Sequence, residues 1–223
     1  MALAACMADG VPGDPVSMKF QWFSYLDGAD IRESCGPGAH DRYRLVYNAR
    51  YNEQVRTYEV AVYEQSGRVV ARATSPGLSL YQTDAGLDFG WQTSERRLDP
   101  GETERLRKAL RESGVYDPTP VGLELLSWGF YWVVALCEEG RFHFNAFVYP
   151  SEAFERLSFP DFLFAHDGTG VRVNPPRPTP GGERFRALGG GPGGRDEFDR
   201  GFLLRVRENG LRGTTPLVKR SVL

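Results

Sequence analysis

Lysine is scarce in this chain, and long hydrophobic runs are missing. The 27 lysines and arginines include only three lysines, and 29 acidic residues leave a net charge of -2. Without an excess of positive charge, the chain lacks the electrostatic signature of a nucleic-acid-binding protein. No run of about 18 apolar residues occurs, so no segment is predicted to cross a bilayer as a helix. The sequence therefore predicts neither a nucleic-acid partner nor a membrane-spanning helix.

Motifs of the common catalytic and metal sites are also missing. The histidines, His40, His143 and His166, are too far apart for an HExxH zinc site, and no GxSxG or SxxK motif occurs. The glycine-rich run 189–194 lacks the GK[ST] ending of a phosphate-binding loop. We therefore predict no catalytic residue, no metal and no cofactor. Because triads can be scattered in sequence, a hydrolase that uses His143 or His166 with a nearby acid stays as an alternative.

Short alternating segments predict an α+β fold dominated by an antiparallel sheet with meander connections. Strands are expected at 16–26, 42–50, 54–63, 68–74, 78–82, 88–92, 123–136, 141–149, 170–173 and 198–207. Aromatic and β-branched residues lead into the turn at 137–140, so 123–149 is interpreted as the central hairpin. Short helical pieces are expected within 30–40 and at 151–157, and an aromatic loop is expected at 158–170.

One longer helix is predicted over 99–113. Asp99 is a suitable N-cap, Pro100 fits the first helical position, and Glu102 completes a capping-box pattern. Gly114 is a typical residue after the last turn. A narrow apolar stripe predicts that this helix packs on one face of the sheet.

Segment 42–50 alternates so regularly that its two faces can be separated. One face carries the apolar set that we expect to be buried, namely Tyr43, Leu45, Tyr47 and Ala49. The opposite face carries the polar candidates for a binding site, namely Arg42, Arg44, Asn48 and Arg50. Guanidinium groups pair well with carboxylates and phosphates, so this row could bind an anionic envelope component. The simpler expectation is a solvated face, because one side of an antiparallel sheet commonly meets water.

The chain is long enough, and with 41% hydrophobic residues apolar enough, for one sizeable core. We assign 16–223 to a single domain. Within it, 174–196 holds five prolines and seven glycines in 23 residues, which predicts a flexible insert.

The first 15 residues carry the most specific signal. Leu3-Ala4-Ala5-Cys6 resembles the lipobox of bacterial lipoproteins, in which an aliphatic residue and two small residues precede the lipidated cysteine. The resemblance implies that Cys6 carries lipid and that 1–15 is a truncated signal followed by a flexible tether. A signal peptide needs a charged start and an apolar stretch of about 7 to 15 residues, whereas five residues precede Cys6. We therefore expect the true start codon to lie upstream.

Three cysteines are an odd number for an exported protein. If Cys6 is lipidated, Cys35 and Cys137 remain as a candidate disulfide in an oxidising periplasm. The sequence thus predicts a non-catalytic binding or structural protein, lipid-anchored and facing the periplasm. Its expected partners are the membrane and an anionic component or another protein of the envelope. Met7 after the cysteine slightly favours the outer membrane, and a cytoplasmic interaction domain remains the alternative.

Overall fold

The central element of the protein is a six-stranded antiparallel sheet. The fold was taken from a computed structural model that describes residues 22–74, 81–83, 86–88, 91–178 and 202–214. The strands are β1 (Arg42–Ala49), β2 (Gln54–Tyr63), β3 (Ser66–Thr74), β4 (Tyr81–Thr83), β5 (Gly86–Asp88), β6 (Gln92–Leu98), β7 (Glu124–Leu126), β8 (Phe130–Glu138), β9 (Arg141–Tyr149), β10 (Leu203–Arg207) and β11 (Gly210–Thr214). The helices are α1 (22–27), α2 (Ala29–Ser34), α3 (Pro100–Glu112), α4 (Glu152–Glu155) and α5 (Phe159–Ala165).

The strand order of the large sheet is β6-β3-β2-β1-β8-β9. Strands β1, β2 and β3 follow one another as a meander, and the β8–β9 hairpin joins on the other side of β1. A second sheet has the order β11-β10-β7, and β4 and β5 form a two-stranded sheet. The predicted α+β class with a mainly antiparallel sheet is confirmed. The hairpin predicted at the centre of the sheet is formed by β8 and β9. Strand β8 lies inside the large sheet, whereas β9 forms one of its edges.

Both faces of the large sheet are covered, which gives the protein two hydrophobic cores. On the first face, Leu106 and Leu110 of α3 and Phe159 and Leu163 of α5 pack against the sheet. On the second face, the covering residues come from α1, α2 and the small sheet, and include Trp22, Leu26, Ile31, Leu125, Leu204 and Val206. The predicted apolar face of β1 lies in the first core, where its members are at most 1% exposed.

The predicted helix is confirmed with its caps. Asp99 accepts a hydrogen bond from the N–H of Glu102 at 2.7 Å, and the Glu102 carboxylate accepts one from the N–H of Asp99 at 3.0 Å. Gly114 after the helix has a φ of 71°, a left-handed conformation that glycine adopts without strain. Helix α3 packs through its buried face on the first core, as the apolar stripe predicts.

Several local predictions are wrong. Residues 22–27 form helix α1 where a strand was expected, because Trp22 and Leu26 are four residues apart and pack on the same core. The expected aromatic loop contains helix α5, which buries Phe159 and Leu163 with the same spacing. Strand β6 was missed because it lies at the sheet edge and is largely exposed and charged.

The segment after α5 is irregular rather than the short strand expected at 170–173. It is bound to the sheet by polar contacts: Gln54 donates to the carbonyl of Arg172 at 2.8 Å, and Tyr47 donates to that of Asn174 at 2.9 Å. The predicted flexible insert therefore begins with anchored residues, and its part from 179 lies outside the described residues.

Candidate functional site

Cys35 and Cys137 lie at disulfide-bonding distance, with Cα atoms 5.6 Å apart across a sequence separation of 102 residues. Cys35 follows helix α2, and Cys137 lies near the end of β8 on the second face of the sheet. The pair therefore connects the N-terminal helices to the central sheet. The lipidation candidate, Cys6, lies outside the described residues, as does the whole predicted tether.

The polar row on β1 does not form a solvated face, and that expectation is wrong. Arg44, Asn48 and Arg50 are all buried, because α1, α2 and the small sheet cover this side of the large sheet. Arg42 is the more exposed member and contacts Asp30 at 3.3 Å.

Arg44 shows how the buried members of this row are satisfied. Its guanidinium contacts both carboxylate oxygens of Asp30, at 2.7 and 2.9 Å, and the carboxylate of Glu59 at 2.5 Å. It also lies 3.9 Å from the centre of the Tyr25 ring. Burial alone would raise the pKa of Asp30, but Arg44 and Arg42 outweigh this effect and lower it. Two internal carboxylates thus compensate Arg44, which gives the predicted anion-binding role no support.

Asn48 and Arg50 also make internal contacts. The Asn48 amide donates to the carbonyls of Ser127 and Gly129, at 3.0 and 2.7 Å. Arg50 forms an ion pair with Glu53 at 3.2 Å. The Asn48 side chain therefore links β1 to the turn before β8, and the Arg50–Glu53 pair lies within the turn between β1 and β2.

The two histidines of the hydrolase alternative lie in different surroundings. His166 contacts Glu102 at 3.3 Å through Nε2 and the carbonyl of Phe162 at 2.7 Å through Nδ1, not the neighbouring Asp167. Hydrogen bonding to the Asp99 N–H, together with His166 and Arg96, lowers the pKa of Glu102. The Glu102 carboxylate thus contacts both His166, which follows α5, and the N-terminus of its own helix α3. This contact has a structural role, because the same carboxylate completes the capping box.

His143 packs edge-on against Tyr116, with ring centres 5.0 Å apart. Burial and the nearby Arg141 lower the pKa of His143, and Glu138 counteracts them only in part. A neutral imidazole next to a phenol is thus favoured at neutral pH.

A charged cleft of about 480 Å³ is lined by Tyr116, whose ring contacts His143. At its base, Glu138 accepts hydrogen bonds from Tyr43 at 2.9 Å and from Tyr116 at 2.6 Å, one on each carboxylate oxygen. Arg107 contacts the same carboxylate at 3.3 Å and Asp41 at 2.6 Å. Burial is the main cause that raises the pKa of both tyrosines. The groups in this cleft therefore bind one another and hold the start of β1, α3 and the end of β8 together.

A second depression, a groove of about 440 Å³, runs along the outer edge of β9. Its floor is formed by 145–148, and its walls contain Pro118, Pro120 and Leu123 on the segment before β7. Ser151, Ala153 and Arg156, around α4, also line it. This volume is within the usual range for binding sites in proteins. Sequence reasoning missed the groove because it depends on which strand forms the sheet edge.

Asn145 positions one wall of this groove. Its buried amide nitrogen lies 3.3 Å from the carbonyl oxygens of Gly114 and Val115 and 3.1 Å from that of Asp117. A polar residue in the middle of an apolar strand is the one local signal for such a role. In the described ranges, no three histidine, cysteine or acidic side chains form a group that could hold a metal ion.

No family model, no curated protein and no solved structure is significantly similar to the chain. Of the helices that the structure describes, none is both long enough and apolar enough to cross a membrane.

Proposed function

We propose that this chain is the folded domain of a bacterial lipoprotein, tethered through Cys6 at the periplasmic face of the envelope. Its role there is binding or structural rather than catalytic. The proposal starts from the lipobox-like Leu3-Ala4-Ala5-Cys6. Covalent lipid is the means of anchoring, and stable anchoring needs more than one acyl chain.

One observation carries the proposal: the placement of Cys35 and Cys137 at disulfide-bonding distance. Disulfides persist in oxidising compartments and are rare in the cytosol. If these two cysteines are paired, Cys6 is the odd cysteine, and lipidation gives it a chemical role. Export, anchoring and the cysteine count then have one common explanation.

The binding role is supported by the groove along β9. Its lining combines apolar residues such as Pro118, Pro120 and Leu123 with charged residues such as Asp117 and Arg156, so it offers both apolar and polar contacts to a ligand. The charged groups of the Glu138 cleft, in contrast, are engaged with one another, and His166 completes a contact between two helices. Binding is therefore favoured over the hydrolase that would use His143 or His166.

Metabolic labelling tests the anchor. The gene, with its native upstream DNA, is expressed in a bacterial host that is fed an alkyne analogue of palmitate, and membrane and soluble fractions are probed for label. We expect labelled protein in the membrane fraction, and loss of the label in a Cys6→Ser variant. Unlabelled wild-type protein in the cytoplasmic fraction would contradict the proposal and favour a cytoplasmic interaction domain.

The catalytic alternative needs its own assay. Wild-type protein is incubated with a panel of ester, peptide and glycoside chromogenic substrates, next to His143→Ala and His166→Ala variants. We expect no turnover above that of the two variants. Turnover that either substitution abolishes would establish the hydrolase instead.

A further inference from the structure

The free edge of β9 is only partly closed by the protein itself. The carbonyl of Phe144 accepts a hydrogen bond from the Thr119 hydroxyl at 2.7 Å, and the N–H of Ala146 donates to the Asn145 side chain at 2.9 Å. Such capping by side chains prevents unspecific pairing of an edge strand. The two caps occupy the middle of the strand and end at Ala146.

Beyond these caps the edge is open. Along an antiparallel strand, backbone groups point alternately to one neighbour and to the other. Because the capped groups of Phe144 and Ala146 point outward, the C=O of Ala146 and the N–H of Val148 do so as well. Within the described part of the chain, neither of these two groups has a hydrogen-bond partner. A donor and an acceptor thus line the floor of the groove with the spacing of a strand.

The walls of the groove decide what can reach this edge. They include Pro118, Pro120 and Leu123 of the segment before β7, and Ser151 and Ala153 around α4. A second copy of the folded chain carries the same walls around its own β9, so two such edges cannot approach each other closely. A single extended segment has no such walls and fits between them.

Four charged side chains line the groove and are exposed, namely Arg111, Glu112, Asp117 and Arg156. Arg111 pairs with Glu104 and Glu112 pairs with Lys108, which leaves Asp117 and Arg156 for a ligand. Neither side chain forms an ion pair with another residue of the described ranges. Charge complementarity therefore fits an extended segment that carries one acidic and one basic side chain. A lipid headgroup or a sugar would leave the strand-spaced donor and acceptor less well matched.

We propose that this groove binds an extended peptide segment of a partner protein, which adds to the sheet as a strand next to β9. The peptide backbone donates to the Ala146 carbonyl and accepts from the Val148 N–H, as in other cases of strand addition. The inference rests on the proposed binding role, and it does not require the lipid anchor.

The test is an NMR titration of the full chain with a defined probe, the peptide acetyl-Lys-Val-Thr-Val-Glu-amide. We expect amide shifts that are concentrated in Ala146, Val148 and the residues of 118–123 other than the two prolines. In a matched peptide that is N-methylated at two adjacent central amides, one methyl group replaces a central N–H that would face β9 in either register, and we expect no shifts there. A peptide with glutamine in place of both charged residues should bind more weakly.

Val148→Pro is the matched protein variant, because it removes only an outward N–H and proline is tolerated at such edge positions. We expect its affinity for the probe to fall about fivefold or more, the value of one hydrogen bond, while Val148→Thr binds like the wild type. Should Val148→Pro fail to fold, the N-methylated probe tests the same contact on unchanged protein.

Absence of shifts at this edge would overturn the proposal. Equal binding of the unmodified and the N-methylated peptide would also overturn it. Concentration-dependent shifts at β9 without peptide would instead indicate a second copy. Because the titration uses soluble protein, a negative titration would not contradict the lipid anchor at Cys6. A negative labelling result would likewise not contradict peptide binding.

Discussion

Arg56 and Asp167 form an ion pair that is almost completely withdrawn from solvent, with side-chain exposures of 0% and 4%. The Asp167 carboxylate also accepts a hydrogen bond from the Tyr58 hydroxyl at 2.7 Å and from the N–H of Thr169 at 2.9 Å. Arg56 in turn donates to the carbonyl of Val171. The pair therefore fastens the irregular segment after α5 to strand β2.

Removing one member of this pair should destabilise the protein strongly. Asp167→Asn leaves the buried Arg56 charge uncompensated, so we expect the free energy of unfolding to fall by about 3 kcal/mol. Urea denaturation followed by circular dichroism measures it. Glu95→Gln is the control, because it breaks an exposed pair with Arg68 and should cost at most about 1 kcal/mol. Similar losses of unfolding free energy in Asp167→Asn and Glu95→Gln would contradict a special role of the buried Arg56–Asp167 pair.

The same carboxyl group predicts a loss of stability in acid. Burial alone would raise the pKa of Asp167, but hydrogen bonds from Thr169 and Tyr58 and the charge of Arg56 lower it below 3.8. Such a group stabilises the folded state above its unfolded pKa and ceases to do so as the pH falls through the lowered folded pKa. We expect the unfolding free energy to decrease as the pH falls below about 4, less steeply in Asp167→Asn. If the unfolding free energies of the wild type and Asp167→Asn depended on pH in the same way, Asp167 would not be the cause of the acid sensitivity.

The cysteine pair should make a measurable contribution to stability. A crosslink across about a hundred residues stabilises by about 5 kcal/mol in the chain-entropy model, so Cys35→Ser with Cys137→Ser should lose at most about that much. Thiol counting on denatured protein, purified after export to the periplasm, should find at most one reactive thiol, that of Cys6. Cys6→Ser serves as the stability control and should unfold like the wild type. Two further reactive thiols would show that Cys35 and Cys137 are reduced.

Glu138 should couple two tyrosines energetically. Tyr43→Phe and Tyr116→Phe each remove one hydrogen bond to its carboxylate, at an expected cost of about 1 to 2 kcal/mol. Because both bonds end on the same carboxylate, the double variant should deviate from additivity by more than about 0.5 kcal/mol. Tyr63→Phe, at an exposed tyrosine, is the matched control and should have no effect. Strict additivity would contradict the shared network.

Local signals predicted those elements whose structure is decided by neighbouring residues. Asp99, Pro100 and Glu102 define the start of α3 by contacts within one helical turn, and the turn after β8 defines its hairpin with β9. Helix α1 and strand β6 were not predicted correctly, because their structure depends on distant parts of the chain. The aromatic residues of 22–27 satisfy strand and helix preferences alike, and β6 forms by pairing with β3.

The candidate groove illustrates the same limit. Asn145 is the one polar residue in the stretch 145–148, and by itself it does not tell whether the strand lies at the edge or in the centre of a sheet. The order of strands in the sheet leaves the outward groups of Ala146 and Val148 without a neighbouring strand. The side chains of Asn145 and Thr119 then determine how far the edge is capped. A binding surface made of backbone groups therefore has no motif in the sequence.

Strand β1 shows which properties the sequence by itself determined and which ones the tertiary structure decided. The alternation in 42–50 was sufficient to predict a strand with Tyr43, Leu45 and Tyr47 in a core, because the side-chain period of a strand is two. Only the tertiary structure decided that the arginine side is buried as well. Helices α1 and α2 and the small sheet exclude water there, so Arg44 requires carboxylates from elsewhere in the chain to compensate its charge.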